Sequence, residues 1–572
     1  MTNGLTMRRT CSVLALVVGG MIGLGGVPRA GANQELATAL RRENPASAGD
    51  LDPTFGNAGI QTTSFFSHYD TATSLAIQAD GKIVAAGLAL QGSALSSSDF
   101  ALARYNPDGS LDPDFGAAGK QTSDFFGNFD QANGVALESD GKIVVAGLTR
   151  HNDSFTTGDF ALARYNPDGS LDQTFGSGGK QATDFFGNLD SASGLVIQPD
   201  GRVVLAGYAQ HGDSNSTAVF ALARYNLDGN LDQSFGSAGK VTTDFFGSEN
   251  VGYGVVAQSD GKLVVAGLAF NPAKGATDFA LARYNPDGSL DQAFGAGGKQ
   301  TTDFFGHNDT ALSIAIQPDG KIVAAGYASH GASASTVDFA LARYNPDGSL
   351  DQAFGVGGKQ TTDFFSEADV AQGVAIQADG KIVVAGAAGH GGSTADVALA
   401  RYNPDGTLDQ TFGAGGLRTT NLQGNTDDND SATSVVIQPD GKIVVGGETA
   451  RNATPSSTVD FAIARYSAGT PVPGFTISFN PSSVAAQAGS KVSLPVLINR
   501  TGGFTGNVTI TPPAAGNGIK PKPPDPITTS SSNVVFKMKI GGGVGAGPYG
   551  RTFTATDDTG RTRTATVTIV VQ

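Results

Sequence analysis

The chain has 572 residues, among them 80 Gly, 25 Pro, 33 Phe, 6 His, 1 Cys and no Trp. Its formal net charge of -15 opposes attraction to nucleic-acid phosphates or an anionic membrane surface, and its glycines lack the three-residue period of a collagen. Residues 51–467 carry 23 basic against 46 acidic side chains (-23), and residues 468–572 carry nine against three (+6), which predicts two domains with surfaces of opposite sign.

The chain opens with Arg8 and Arg9, an apolar stretch from Cys11 to Val27, and Ala30-Gly31-Ala32. This is the arrangement of a secretory signal peptide over residues 1–32, cleaved after Ala32. The apolar run is short and glycine-rich for a retained membrane span, so no membrane association is expected after cleavage. Cys11 is lost with the signal, and the mature chain then has no disulfide, thiol nucleophile or cysteine-ligated metal. Residues 33–50 read as a linker, with a short helix around Glu35–Arg42 as the other reading.

From Leu51 a period of about sixty residues sets in. Leu-Asp begins at Leu51, Leu111, Leu171, Leu231, Leu290, Leu350 and Leu408; the Arg-Tyr pair begins at Arg104, Arg164, Arg224, Arg283, Arg343, Arg401 and Arg465. Each period predicts four strands. In the second copy GKQTSDFF (119–126) is Thr/Phe-rich, ANGVALES follows, Asp140-Gly141 makes a tight hairpin to KIVVAGL, and DFALARY (159–165) ends at an NPDG turn. Phe100, Leu102 and Arg104 alternate with Ala101, Ala103 and Tyr105, so both faces of this strand look buried. Arg104 then reads as a structural salt bridge or carbonyl clamp.

Seven four-stranded units predict an all-β fold, a seven-bladed β-propeller over residues 51–467, which removes the long edges of an open stack; a linear β-solenoid is the rival. The first copy begins with GIQTTSFF (59–66) ahead of its hairpin, whereas the last ends after FAIARY (461–466). The N-terminal strand is therefore expected to close the ring as the outer strand of the last blade.

The words LDPTFG, DGKIVAAG and DFALARYNPDG, in seven copies over residues 51–467, resemble the bacterial delta-60 repeat family, a domain of unknown function with a β-propeller fold. The resemblance implies secretion and a propeller, and it carries no catalytic motif. Residues 468–572 abandon the repeat. Short Thr/Val-rich strands such as KVSLPVLI (491–498), NVVFKMKI (533–540) and RTATVTIVV (563–571) predict a β-sandwich. FNPSSVAAQAGS and TATVTIVV are similar to bacterial immunoglobulin-like modules, which implies a spacer or cap. PPAAGNGIKPKPPDP (512–526) reads as a surface loop or a ligand strap.

All six histidines fall in loops at one end of the ring: His68 and His307 before the hairpins, His151, His211, His330 and His390 after the second strand. They are the candidate ligand-binding residues, with plain tolerance of histidine in exposed loops as the competing explanation. Asp70, Asp130, Asp190, Asp309, Asp369 and Asp430 each precede the hairpin glycine by 11 residues, with Asn250 at the seventh position. They read as local turn formers or, as a radial array at a channel mouth, as Ca2+ ligands. Asp108 in NPDGSLD reads as a turn residue. Neither a nucleophile elbow, an HExxH helix nor a phosphate loop occurs in its required context.

These features point to an exported protein, secreted, periplasmic or on the cell surface. It would bind an extracellular polysaccharide, peptide or surface protein, or act as a scaffold. The alternative is an extracellular hydrolase or lyase acting on a polymer or peptide, using neighbours such as His151–Asp153 or His211–Asp213.

Overall fold

The computed structural model describes residues 47–92, 98–152, 156–212, 218–331, 337–390, 394–424, 429–451, 458–469, 474–479, 483–501, 506–558 and 562–572. The expected signal peptide, most of the linker, and Asp153 and Asp213 lie outside them. No helix among the described residues is long and apolar enough to cross a membrane. The chain divides after Gly469 into two compact units.

The first unit contains seven antiparallel four-stranded sheets. Blade two shows the pattern: an inner strand Asp130–Leu137, a second strand Ile143–Thr149, a third Asp159–Tyr165 and an outer strand Lys180–Thr183. The third strand is buried on both faces because neighbouring sheets cover it, and Phe160, Leu162 and Tyr165 are inaccessible to solvent. Inner strands of successive blades touch, and Asp430–Ile437 of the last touches Asp70–Ile77 of the first. The sheets thus form a closed cycle, an arrangement consistent with a propeller.

Ring closure follows the sequence expectation. Strand Ile60–Thr63 pairs antiparallel with Thr458–Tyr466, Ile60 opposite Ala464 and Thr63 opposite Phe461, and becomes the fourth strand of blade seven. Residues 47–50, read above as the end of a linker, take part in this closure. Gly49 N–H donates to the Ser467 carbonyl at 2.9 Å, and Gly413 N–H donates to the Ala48 carbonyl at 2.8 Å. In the other blades the latter bond goes to the aspartate of an NPDG or NLDG turn, as from Gly116 N–H to the Asp168 carbonyl at 2.7 Å. The seventh turn is therefore assembled from two distant pieces of chain.

Arginine secures the end of the ring that bears these turns. Arg104 Nε donates to Asp112 Oδ2 at 2.7 Å, Nη1 reaches the Pro167 carbonyl of the next blade, and the guanidinium lies over Phe115. The contact recurs from Arg164 to Leu227 at 2.7 Å and from Arg224 to Pro286 at 2.5 Å. It closes the circle from Arg465 to Pro107 at 2.5 Å. Arg104 thus forms both the salt bridge and the carbonyl clamp that its recurrence suggests. Buried Tyr105 adds an inter-blade bond, its hydroxyl 2.9 Å from Thr63 Oγ1.

The second unit is sandwich-like, with one four-stranded and one five-stranded sheet. Strand Asn533–Ile540 shows the expected alternation: Val534, Phe536, Met538 and Ile540 are buried, while Lys537 and Lys539 are exposed. The Pro-rich segment is not loop throughout, since Ile519–Lys522 within it is a strand paired with Asn533–Ile540.

Candidate functional site

At the end of the ring opposite the arginine clamps, each outer strand crosses to the inner strand of the next blade. Sequence alternation predicts a strand through GKQTSDFF, but the strand stops at Ser123 because Asp124 Oδ1 accepts from Gly127 N–H at 2.5 Å and turns the chain. The Phe pair then divides. Phe125 packs edge-on against Phe100 in the inter-blade core, with centroids 5.0 Å apart, and Phe126 faces solvent. This repeats around the ring: Phe66, Phe126, Phe186, Phe246, Phe305 and Phe365 are exposed, between 39% for Phe66 and 47% for Phe365.

Four of the six histidines lie against these rings. His151, His211 and His330 stack on Phe126, Phe186 and Phe305 at centroid distances of 4.1, 3.8 and 4.0 Å; His390 meets Phe365 edge-on at 6.1 Å. His151 Nε2 is 2.8 Å from Asp159 Oδ2, His330 Nε2 is 2.6 Å from Asp338 Oδ2, and His390 Nε2 is 3.1 Å from Asp396 Oδ1. His68 and His307 sit in the crossovers themselves.

The inner-strand aspartates do not gather at a channel mouth, and no described three-carboxylate group contains two of them. Each is fully buried beneath its own crossover. Asp130 Oδ2 accepts from Phe125 N–H at 2.7 Å, Asp190 Oδ2 from Phe185 N–H at 2.6 Å, and Asp309 and Asp369 Oδ2 from Phe304 and Phe364 N–H at 2.7 Å. Asp70 and Asp430 make the same bond to Phe65 and Leu422. Asn250, at the seventh position, donates instead to Asp244 Oδ1 at 2.8 Å. The local-turn reading is thus answered by a clamp on the preceding loop. Asp108 is a turn former, its Oδ1 accepting from Ser110 N–H at 2.9 Å and Oγ at 2.7 Å.

Four of these aspartates have acidic company that the sequence reading missed. Asp130 joins Asp99 and Asp124; Asp190 joins Asp159 and Asp184; Asp309 joins Asp278 and Asp303; Asp369 joins Asp338 and Asp363. In each trio, two aspartates come from one blade and the third from the next, with ligand oxygens within 4.8 Å of one another. Burial, reinforced by the neighbouring carboxylates, pushes Asp130, Asp309 and Asp369 up to about 7 and Asp190 to about 8. Such oxygen-only clusters are compatible with a divalent cation. The missed signal was present in the repeats, as an aspartate before FALARY and another before FF in the same copies.

Seven segments match the family described as "Domain of unknown function (DUF5122) beta-propeller": residues 78–115, 138–175, 198–235, 258–294, 317–354, 377–412 and 438–469. No curated protein matches the chain. Among solved structures, it is similar to "Hypothetical protein from leishmania major" at 11% identity and a TM-score of 0.25, covering 47% of this chain and 82% of that one. It is also similar to "Crystal structure of the S-layer protein SbsC domains 4 and 5" at 19% identity and a TM-score of 0.13, covering 34% of this chain and 90% of that one. At these scores neither likeness carries an inference.

Proposed function

We propose that the chain is an exported binding or scaffold protein of the delta-60 repeat family, with its ligand surface at the crossover end of the ring. Residues 1–32 serve as a cleaved signal peptide. The C-terminal unit is an immunoglobulin-like spacer. The observation that supports this reading is the set of six exposed phenylalanines, one in each of six of the seven crossovers. Exposed apolar rings in phase are costly in water unless a partner covers them, and aromatic anchors contribute strongly to recognition. Stacked His151, His211 and His330 place hydrogen-bonding groups beside the rings, suiting a repetitive extracellular polysaccharide or an extended peptide. The His–Asp pairs are distributed one per blade over three blades rather than gathered in one pocket, which favours repetitive binding over hydrolysis or lyase chemistry.

A glycan array and a cell-envelope polymer pull-down, run with the wild type and with Phe126→Ser/Phe186→Ser/Phe305→Ser, test it. The variant is expected to melt like the wild type and to lose at least about tenfold in affinity, the scale of one hot-spot contact. Equal binding by both proteins would place the ligand surface elsewhere.

A further inference from the structure

The four aspartate trios differ in one informative respect, the donor that reaches them from the loop after the second strand. In three of them, Gln91, His151 or His330 touches only the third-strand aspartate: Asp99, Asp159 or Asp338. In the fourth, the Lys274 ammonium bridges two carboxylates, lying 3.0 Å from both Asp278 and Asp303. At that interface the chain supplies its own cation.

Two further observations bear on all four. The fully buried Asp130, Asp190 and Asp369 each have an Oδ1 with no hydrogen bond, as do Asp309 in the Lys274 trio and Asp70 outside the trios, and a buried carboxylate oxygen left unpaired is costly. At the other interfaces one or two of the acidic positions are replaced: Asn421 stands with Asp396 and Asp430, and Ser64 with Asp460 and Asp70. Where Val219 replaces the third-strand aspartate, the inner-strand position is Asn250, and that amide satisfies the remaining Asp244. Three carboxylates drawn from two blades form a unit whose mutual repulsion is relieved by a bound proton, a central cation or substitution.

We propose that the trios Asp99–Asp124–Asp130, Asp159–Asp184–Asp190 and Asp338–Asp363–Asp369 each bind one Ca2+ ion, and that Lys274 replaces the ion in the fourth. Calcium accepts six to eight oxygen ligands at about 2.3–2.6 Å, so two ligands on one ion are separated by no more than about 5 Å, the spacing of these oxygens. Each ion would join two neighbouring blades at the end of the ring that has no arginine clamp. The proposal does not depend on the ligand surface put forward above.

Calorimetric titration of the chelator-stripped full chain with CaCl2 at moderate ionic strength is the test. Saturable binding of three equivalents is expected. Lys274→Met should raise this to four. The variant Asp124→Asn/Asp184→Asn/Asp363→Asn should abolish saturable binding while keeping the fold, because Asn421 already occupies the equivalent position in another blade and accepts from Gln423 N–H at 3.1 Å. Thermal melts of the stripped proteins provide the folding control. Non-saturating heats that vanish with salt would show a diffuse acidic surface and overturn the proposal. So would saturable binding unchanged in the triple variant. A count of three that Lys274→Met does not raise would overturn the assignment of Lys274.

Discussion

Asp130, Asp190, Asp309 and Asp369 tie proton uptake to folding. Each has an affinity for its proton raised far above the usual value of 3.8 by burial and by its acidic neighbours. Between about pH 4 and pH 8 the native state therefore holds more protons than the unfolded chain, and stability falls as pH rises. Asp52, Asp172 and Asp409 act in the opposite sense. Despite the cost of burial, hydrogen bonds and arginine or lysine partners hold them at about 2, so their contribution is lost only as pH falls below the unfolded value. Chelator-stripped protein should consequently melt at a higher temperature at pH 5 than at pH 8, as followed by circular dichroism. A higher melting temperature at pH 8 would contradict the burial-driven shift. The sequence shows these aspartates as a regular series, but it does not show that the aspartates 6 and 31 residues upstream converge on Asp130. Those are supplied by the neighbouring blade.

At the scale of the strand, two glycines of one hairpin do different work. Gly141 has a φ of 89°, and a Cβ there would approach only Pro167 Cγ at 3.5 Å, so its replacement meets backbone strain alone. Gly147 lies beside a bulge at Ala132/Gly134 in the inner strand, and a Cβ on it would sit 1.9 Å from the Gln131 carbonyl oxygen. Chemical denaturation is expected to rank Gly147→Ala at about 3 kcal/mol of destabilisation, Gly141→Ala at about 1–2 and His151→Ala within about 0.5. Comparable losses at Gly147 and His151 would refute the steric account. The Asp-Gly hairpin was legible because a positive φ restricts residue choice locally. Gly147 looks like any small residue in VVAG, because its constraint comes from the facing strand. The outer strand was read too long for a related reason: TSDFF keeps a strand-like alternation, and the Asp124–Gly127 turn that ends it is a hydrogen bond, not a pattern.

The ring as a whole depends on its closing strand. Deleting residues 51–66 removes the fourth strand of blade seven, the Asp52–Arg465 pair at 2.9 Å and the Thr63 partner of Tyr105. This deletion should lower the melting temperature sharply and broaden the transition in scanning calorimetry, whereas deleting residues 33–46 should leave it unchanged. Matching melts for the two deletions would show that closure does not rest on this strand. The boundary lies before residue 47 rather than after residue 50, because Ala48 and Gly49 belong to the last turn. Ring closure could be read from the sequence because the first and last copies are out of phase by one strand. The split turn could not, because SAGD bears little likeness to NPDG.

That split turn makes the ring a circle with a nick in it. A Cβ placed on Gly469 would lie only 2.7 Å from that of Ala48, so the two loose ends meet where the other six repeats run on without a break. Joining them and cutting at any NPDG turn would yield a circular permutant with the same blades, clamps and carboxylate trios. The numbering of the repeats therefore has an origin in the chain but none in the fold.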